Sequence, residues 1–273
     1  MIKLKDKLPS QDILELLITL NEKGASWDNL KKDERKRIRE ELGEICVSPK
    51  TPRCFYCEDG DASIIDHFQP QSLYPEHIFL WDNYQLVCFS CSNHKGSQFA
   101  VIDDNGVLHK LTKTTKQQFI GIFALINPRK ENPHDFLELD FTTFYFEPID
   151  RNQRGQYTLD ILDFNERLES FRRRAFKDFL KWLDLYANAK SKTERDYLFE
   201  DLREKDHLSV WEEMCRVYRD RTELWDEIIR EEAEMRDAIG QTEKTPYEKI
   251  DEAFKLLSEE RLSEVLAITF IPQ

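Results

Sequence analysis

Cys54-Phe-Tyr-Cys57 and Cys88-Phe-Ser-Cys91 set four thiols in two knuckles, with 30 residues (58 to 87) between them. A two-residue gap lets both sulfurs of a knuckle face one tetrahedral ion, and a second knuckle completes a four-cysteine zinc site. Such a site is closed, so its metal is structural and does no chemistry itself. A disulfide framework belongs to oxidising compartments. A redox role needs only one pair, in a thioredoxin-like βαβ setting. Cys46 and Cys215 have no partner at ligand spacing and are expected to be buried as small apolar side chains.

The segment between the knuckles carries a second set of reactive groups. Ser63-Ile64-Ile65 reads as a short strand ending in Asp66-His67, after which Pro70 turns the chain into a loop. Residues 81 to 87, which include Asn83, lead into the second knuckle, and Ser92-Asn93-His94-Lys95-Gly96 opens a helix. Hydrolysing a phosphodiester needs a deprotonated water, a neutralised phosphate and a stabilised leaving oxygen. An imidazole is the natural base near neutral pH. A neighbouring carboxylate can hold Mg²⁺, which keeps several waters and takes phosphate oxygens as further ligands. An amide carbonyl bonded to the second ring nitrogen fixes the tautomer.

These residues resemble the HNH (ββα-metal) nucleases: DHxxP at Asp66, His67 and Pro70, a central Asn83, and a CxxC followed four residues later by Lys (Cys91, Lys95). The resemblance implies His67 as general base, Asp66 as a ligand of a catalytic Mg²⁺ or Mn²⁺, Asn83 as the orienter of the imidazole, and Lys95 as a phosphate contact. One position departs from the family, in which the residue after the second knuckle is usually a His or Asn metal ligand. Here it is Ser92, so Asn93 is expected to take that role, with His94 as the second candidate. His77, His109, His134 and His207 read as surface residues.

A wider resemblance covers roughly residues 1 to 175. The IKL…P…L opening, CFYCE, INPRKENP with the following LELD, and TLDILDFNERLESFRRR are similar to standalone HNH proteins of Septu-type anti-phage systems. Those are encoded beside an ABC-like ATPase, sometimes with a retron. This implies an anti-phage nuclease acting on nucleic acid, DNA more than RNA, with an ATPase partner that docks on the helical tail or the two N-terminal helices. The alternative is a zinc-stabilised adaptor that holds nucleic acid or a partner on a degenerate HNH core.

The elements that must position these groups follow from periodicity. Gln11 to Leu20 and Leu30 to Leu42 read as two helices with Leu and Ile at helical spacing. The second carries the basic run KKDERKRIR (31 to 39), either a phosphate-facing strip or a solvated face. Asn105-Gly106 between apolar pairs predicts a hairpin. The prolines of 124 to 140 predict an extended loop, and 141 to 149 a strand. Asn165 is expected to cap a long helix with Leu168, Phe171, Ala175, Phe179, Trp182 and Tyr186 on one face. Further helices are expected at 197–204, at 210–239 with Gly240 as C-cap, and at 247–265.

The expected class is α+β: a ββα-metal core with its four-cysteine zinc site, two N-terminal helices and an α-helical C-terminal region. The corresponding divisions are 1–50, 51–150 and 151–273. No phosphate-cradling glycine loop occurs. The longest apolar runs, such as Ile122 to Ile126, fall far short of the roughly 20 residues of a membrane span. The opening residues show no leader pattern, so a cytoplasmic protein without membrane contact is expected. Net charge is −13, but residues 201–273, with 11 basic and 20 acidic side chains, supply −9 of it. An acidic chain binds polyanions poorly unaided, which suits a nuclease that borrows DNA binding from a partner.

Overall fold

A computed structural model of the chain describes residues 1–46, 51–60, 62–116, 118–219, 223–238 and 240–268. Within these, the chain divides into two compact units, residues 1–137 with 147–164, and residues 138–146 with 165–268. The fold is α+β and mainly helical, with three small sheets.

The first unit begins with α1 (Gln11–Glu22) and α2 (Lys32–Gly43), which bury Ile13, Leu17, Ile38 and Leu42. Two four-residue strands follow, β1 (Ile64–His67) and β2 (Tyr84–Val87), antiparallel with Ile64 opposite Val87 and His67 opposite Tyr84. The short helix α3 (Phe89–Lys95) comes next. A three-stranded sheet then has β3 (Ala100–Ile102) between β4 (Leu108–Lys110) and β5 (Ile122–Phe123). The Asn105-Gly106 hairpin joins β3 to β4, with Gly106 at φ +76°.

Residues 141–149 are not one strand. β6 (Leu137–Asp140) and β7 (Tyr145–Pro148) pair across a tight turn closed by Phe144 N donating to Asp140 O at 2.7 Å. A helix absent from the expectations, α4 (Gln153–Leu162), follows. Asn152 caps it, its Oδ1 accepting from the amides of Arg154 (2.9 Å) and Gly155 (3.2 Å). Gly155 is required there, because a Cβ would lie 2.6 Å from the Phe136 carbonyl.

The second unit is built on α5 (Phe164–Asn188). Asn165 lies inside this helix and does not cap it. Its side chain accepts from Phe146 N and donates to Phe146 O, both at 2.8 Å. Of the expected apolar face, Phe171 stays partly exposed and the other five residues are buried. Around it stand α6 (Lys192–Arg203), α7 (Leu208–Arg219), α8 (Glu223–Ala238), α9 (Pro246–Lys255) and α10 (Glu259–Leu266). The expected 247–265 helix is two elements, since Ser258 caps α10. Of the expected 210–239 helix, α7 and α8 are the described parts, and 220–222 and 239 lie outside the described residues. Gly240, at φ +69°, ends α8 as expected. His207 is buried, not at the surface.

The N-terminal segment shares a unit with the knuckles, and Arg129 of the INPRK motif shows why. Its guanidinium donates to the carbonyls of Trp81 (2.8 Å) and Tyr84 (2.6 Å) and to Asp6 Oδ1 (2.8 Å) while stacking on the Trp81 ring. One buried cation thus ties residue 6, the lead into β2 and residue 129 together. Trp81 adds a bond from Nε1 to the Lys7 carbonyl at 2.6 Å. Arg129→Ala should leave the Trp81 and Tyr84 carbonyls without their buried donor and Asp6 with Lys130 alone, costing about 3–5 kcal/mol in urea unfolding of the first unit. Arg129→Lys should recover less than half of that, since one ammonium cannot span the fork.

Candidate functional site

All four knuckle cysteines are buried, and their sulfurs lie within 4.8 Å of one another. Local structure sets them there. The first knuckle is a turn in which Glu58 N donates to Cys54 O, with Glu58 at φ +64°, and Phe55 N donates to Leu86 O of β2. In the second, Cys88 caps α3, its sulfur accepting from Cys91 N at 3.4 Å. Cys57 and Cys88 sulfurs are 3.7 Å apart. A tetrahedral ion with bonds of about 2.3 Å needs sulfurs about 3.8 Å apart, so the donor set fits one. Burial pushes the Cys54 thiol well up, so four adjacent thiolates need a cation to be stable here. This cluster can hold a metal ion.

Between the knuckles, β1 presents successive side chains to opposite faces. Asp66 faces α3, and Lys95 Nζ lies 2.9 Å from its Oδ2. Lys95 is fully buried and also donates to the His67 carbonyl at 2.7 Å. Burial raises the Asp66 carboxyl above its ordinary range and Lys95 opposes the shift. The expected phosphate contact at Lys95 is therefore replaced by an internal ion pair, because α3 turns this side chain inward.

His67 faces the other way and is 5 % exposed. Its ring meets Trp27 and Tyr84 edge to face, at 4.7 and 5.2 Å. Nε2 lies 2.9 Å from the Ile78 carbonyl, which can only accept, so Nε2 carries the proton. Nδ1 accepts from the Gln71 amide at 3.0 Å. Burial lowers the His67 pKa to about 4, so the ring is neutral at pH 7.

Asn83 does not orient this ring. Its Oδ1 accepts from Gln69 N at 2.7 Å, and its Nδ2 donates to the carbonyls of Gln69 and His77, both at 3.1 Å. It closes the 69–77 loop, and that loop delivers the Ile78 carbonyl to His67. The orienting group is thus a main-chain carbonyl, which leaves no trace in a sequence. Gln71 is four residues past His67 and within reach of a loop-reading argument; Trp27, 40 residues upstream, is not.

The expected catalytic metal ligands do not assemble either. At 100° per residue, Ser92 shares the face of α3 with Lys95, while Asn93 is turned about 200° from it. Asn93 is exposed, and His94 Nε2 lies 4.0 Å from Asp163 Oδ2. Only Asp66 of that set stands at the strand end. Comparison with protein-family models, curated proteins and solved structures finds no match to this chain.

The depressed His67 pKa has a thermodynamic consequence. The unfolded chain takes up the proton near pH 6.5 and the folded chain only near pH 4, so stability is lost as pH falls through that window. The loss from this group should approach about 3 kcal/mol at pH 4. In urea titrations at pH 7, 5.5 and 4, His67→Gln should show a correspondingly shallower fall than wild type.

Proposed function

We propose that this chain is an HNH-type endonuclease that hydrolyses phosphodiester bonds of nucleic acid, DNA in preference to RNA, with zinc in the Cys54–Cys57–Cys88–Cys91 cluster. The observation that carries the reading is the state of His67 at the end of β1. It is a neutral imidazole with Nε2–H fixed by Ile78 and its Nδ1 lone pair met only by the half-exposed Gln71 side chain. The order β1–β2–α3, with the knuckles at both ends of the insert, supports it.

The chemistry asked of this chain's own residues is limited. With Gln71 rotated away, Nδ1 takes a proton from the attacking water, and the Ile78 carbonyl stabilises the imidazolium through Nε2–H. Admitting water at the ring also relieves the desolvation that depresses its basicity. Zinc would hold the two knuckles together and do no chemistry itself. The Mg²⁺ or Mn²⁺ implied by the resemblance finds one preformed ligand, Asp66, already paired with Lys95; no step is routed through that ion. The proposal extends to an anti-phage setting in the cytoplasm with an ABC-like ATPase partner. The flanking motifs, the charge of −13 and the covered imidazole support a nuclease kept inactive until a partner opens it.

A second reading, a zinc-stabilised adaptor, is favoured by the Asp66–Lys95 pair and by the occupation of both ring nitrogens. Gel cleavage of plasmid, single-stranded DNA and tRNA separates the two, run with Mg²⁺ and with Mn²⁺, with and without a co-encoded ATPase. His67→Ala should slow cutting by about 10²–10⁴-fold with zinc content unchanged. Cys57→Ser should instead release zinc and unfold the first unit. Cutting by His67→Ala at the wild-type rate would sink the assignment of the base, and no cutting by metal-loaded wild type in any arm would favour the adaptor.

A further inference from the structure

Helix α2 carries a one-sided arrangement of charge. Lys32, Arg35, Lys36 and Arg39 recur at helical spacing and form one stripe, while Asp33, Glu40, Glu41 and Glu44 lie off it. The buried Ile38 and Leu42 lie on the flank next to Arg35, so the stripe borders the packed side of the helix. Seven residues of helix separate Lys32 from Arg39, about 10 Å, the rise of about three nucleotides along one strand. The stripe's acidic neighbours hold it loosely. Lys36 lies 3.6 Å from Glu40, and Arg35 3.7 Å from the exposed Asp28. Exposed pairs of this kind contribute little and yield to a stronger anion.

The stripe also leads to His67. Arg35 donates to the Trp27 carbonyl at 3.0 Å and sits 5.7 Å from the centre of the Trp27 ring. That ring in turn covers the His67 imidazole. A strand lying along α2 would run past Trp27, which touches both Arg35 of the stripe and the His67 ring.

We propose that α2, through Lys32, Arg35, Lys36 and Arg39, is the surface on which this acidic chain grips a nucleic-acid backbone and lays it beside His67. The inference rests on the nuclease reading only for the use made of that placement; binding is measurable without cleavage. Phosphates are the occupant because four cations on one face, two of them in loose exposed ion pairs and none, among the described residues, in a buried one, match a line of anions.

Fluorescence anisotropy with labelled 20-mers tests it, using single-stranded DNA, duplex DNA and single-stranded RNA, without added divalent ions and from 50 to 200 mM salt. The triple variant Lys32→Gln, Lys36→Gln, Arg39→Gln spares Arg35, which packs on Trp27. It should bind about tenfold or more weakly at 100 mM salt, and its log–log salt slope should fall by roughly 2–3. Arg37→Gln, on the Asp12 side of α2, should bind as wild type. Trp27 emission, taken by difference from Trp27→Phe, should change on binding. Wild-type affinity and slope in the triple variant would overturn the proposal, as would the absence of binding to all three probes. Binding lost in the triple variant while metal-loaded wild type cuts nothing would uphold the surface and sink the nuclease. Cleavage by wild type with unaltered binding in the triple variant would do the reverse.

Discussion

Four thiols within tetrahedral reach of one another, out of water, form the constraint on which the first unit is built. As thiolates they repel, so the cluster is stable only around a cation. With one bound, it becomes the anchor for everything between residues 54 and 91. Two strands of four residues cannot stand alone. Here one knuckle is bonded to β2 through Phe55, and the other is the first turn of α3. The register of β1 against β2, and hence the faces taken by Asp66 and His67, follows from that anchoring.

How much of this was legible depended on whether a group acts locally. The cysteine spacing, the two N-terminal helices and the hairpin at Asn105-Gly106 are local patterns, and the structure has each of them. Asn152 is also a local signal, a cap two residues before Arg154, but α4 has no long apolar face behind it to mark it as a helix. Asn165 and Asn83 looked like a cap and a ring orienter because an amide suits many jobs. Only the tertiary arrangement shows that each bonds to main chain instead. The motif implies a phosphate contact at Lys95, which would need this side chain at the surface. Its burial follows from helical phase, since it lies four residues after the buried Cys91.

The Asp66–Lys95 pair and the covered His67 describe the same strand end from its two sides. Desolvation raises the Asp66 carboxyl and lowers the imidazole, so both groups are driven toward their neutral forms. Lys95 opposes this for the carboxylate, whereas the Ile78 carbonyl gives the imidazole only a neutral acceptor. The carboxylate is therefore held by a charge and the imidazole by packing. A rearrangement that moved Trp27 and Gln71 would alter the second far more than the first.

Arg129 has a consequence of another kind. Its fork reads two distant stretches at once, Asp6 and the carbonyls of Trp81 and Tyr84, while its own amide donates to the neighbouring Asn127. Two of those acceptors are main-chain atoms and cannot be altered by substitution, so the burden of compatibility falls on positions 6, 81 and 129. In related chains these three should drift together or not at all. That would leave a correlated signature linking the first residues of the chain to the loop before β2.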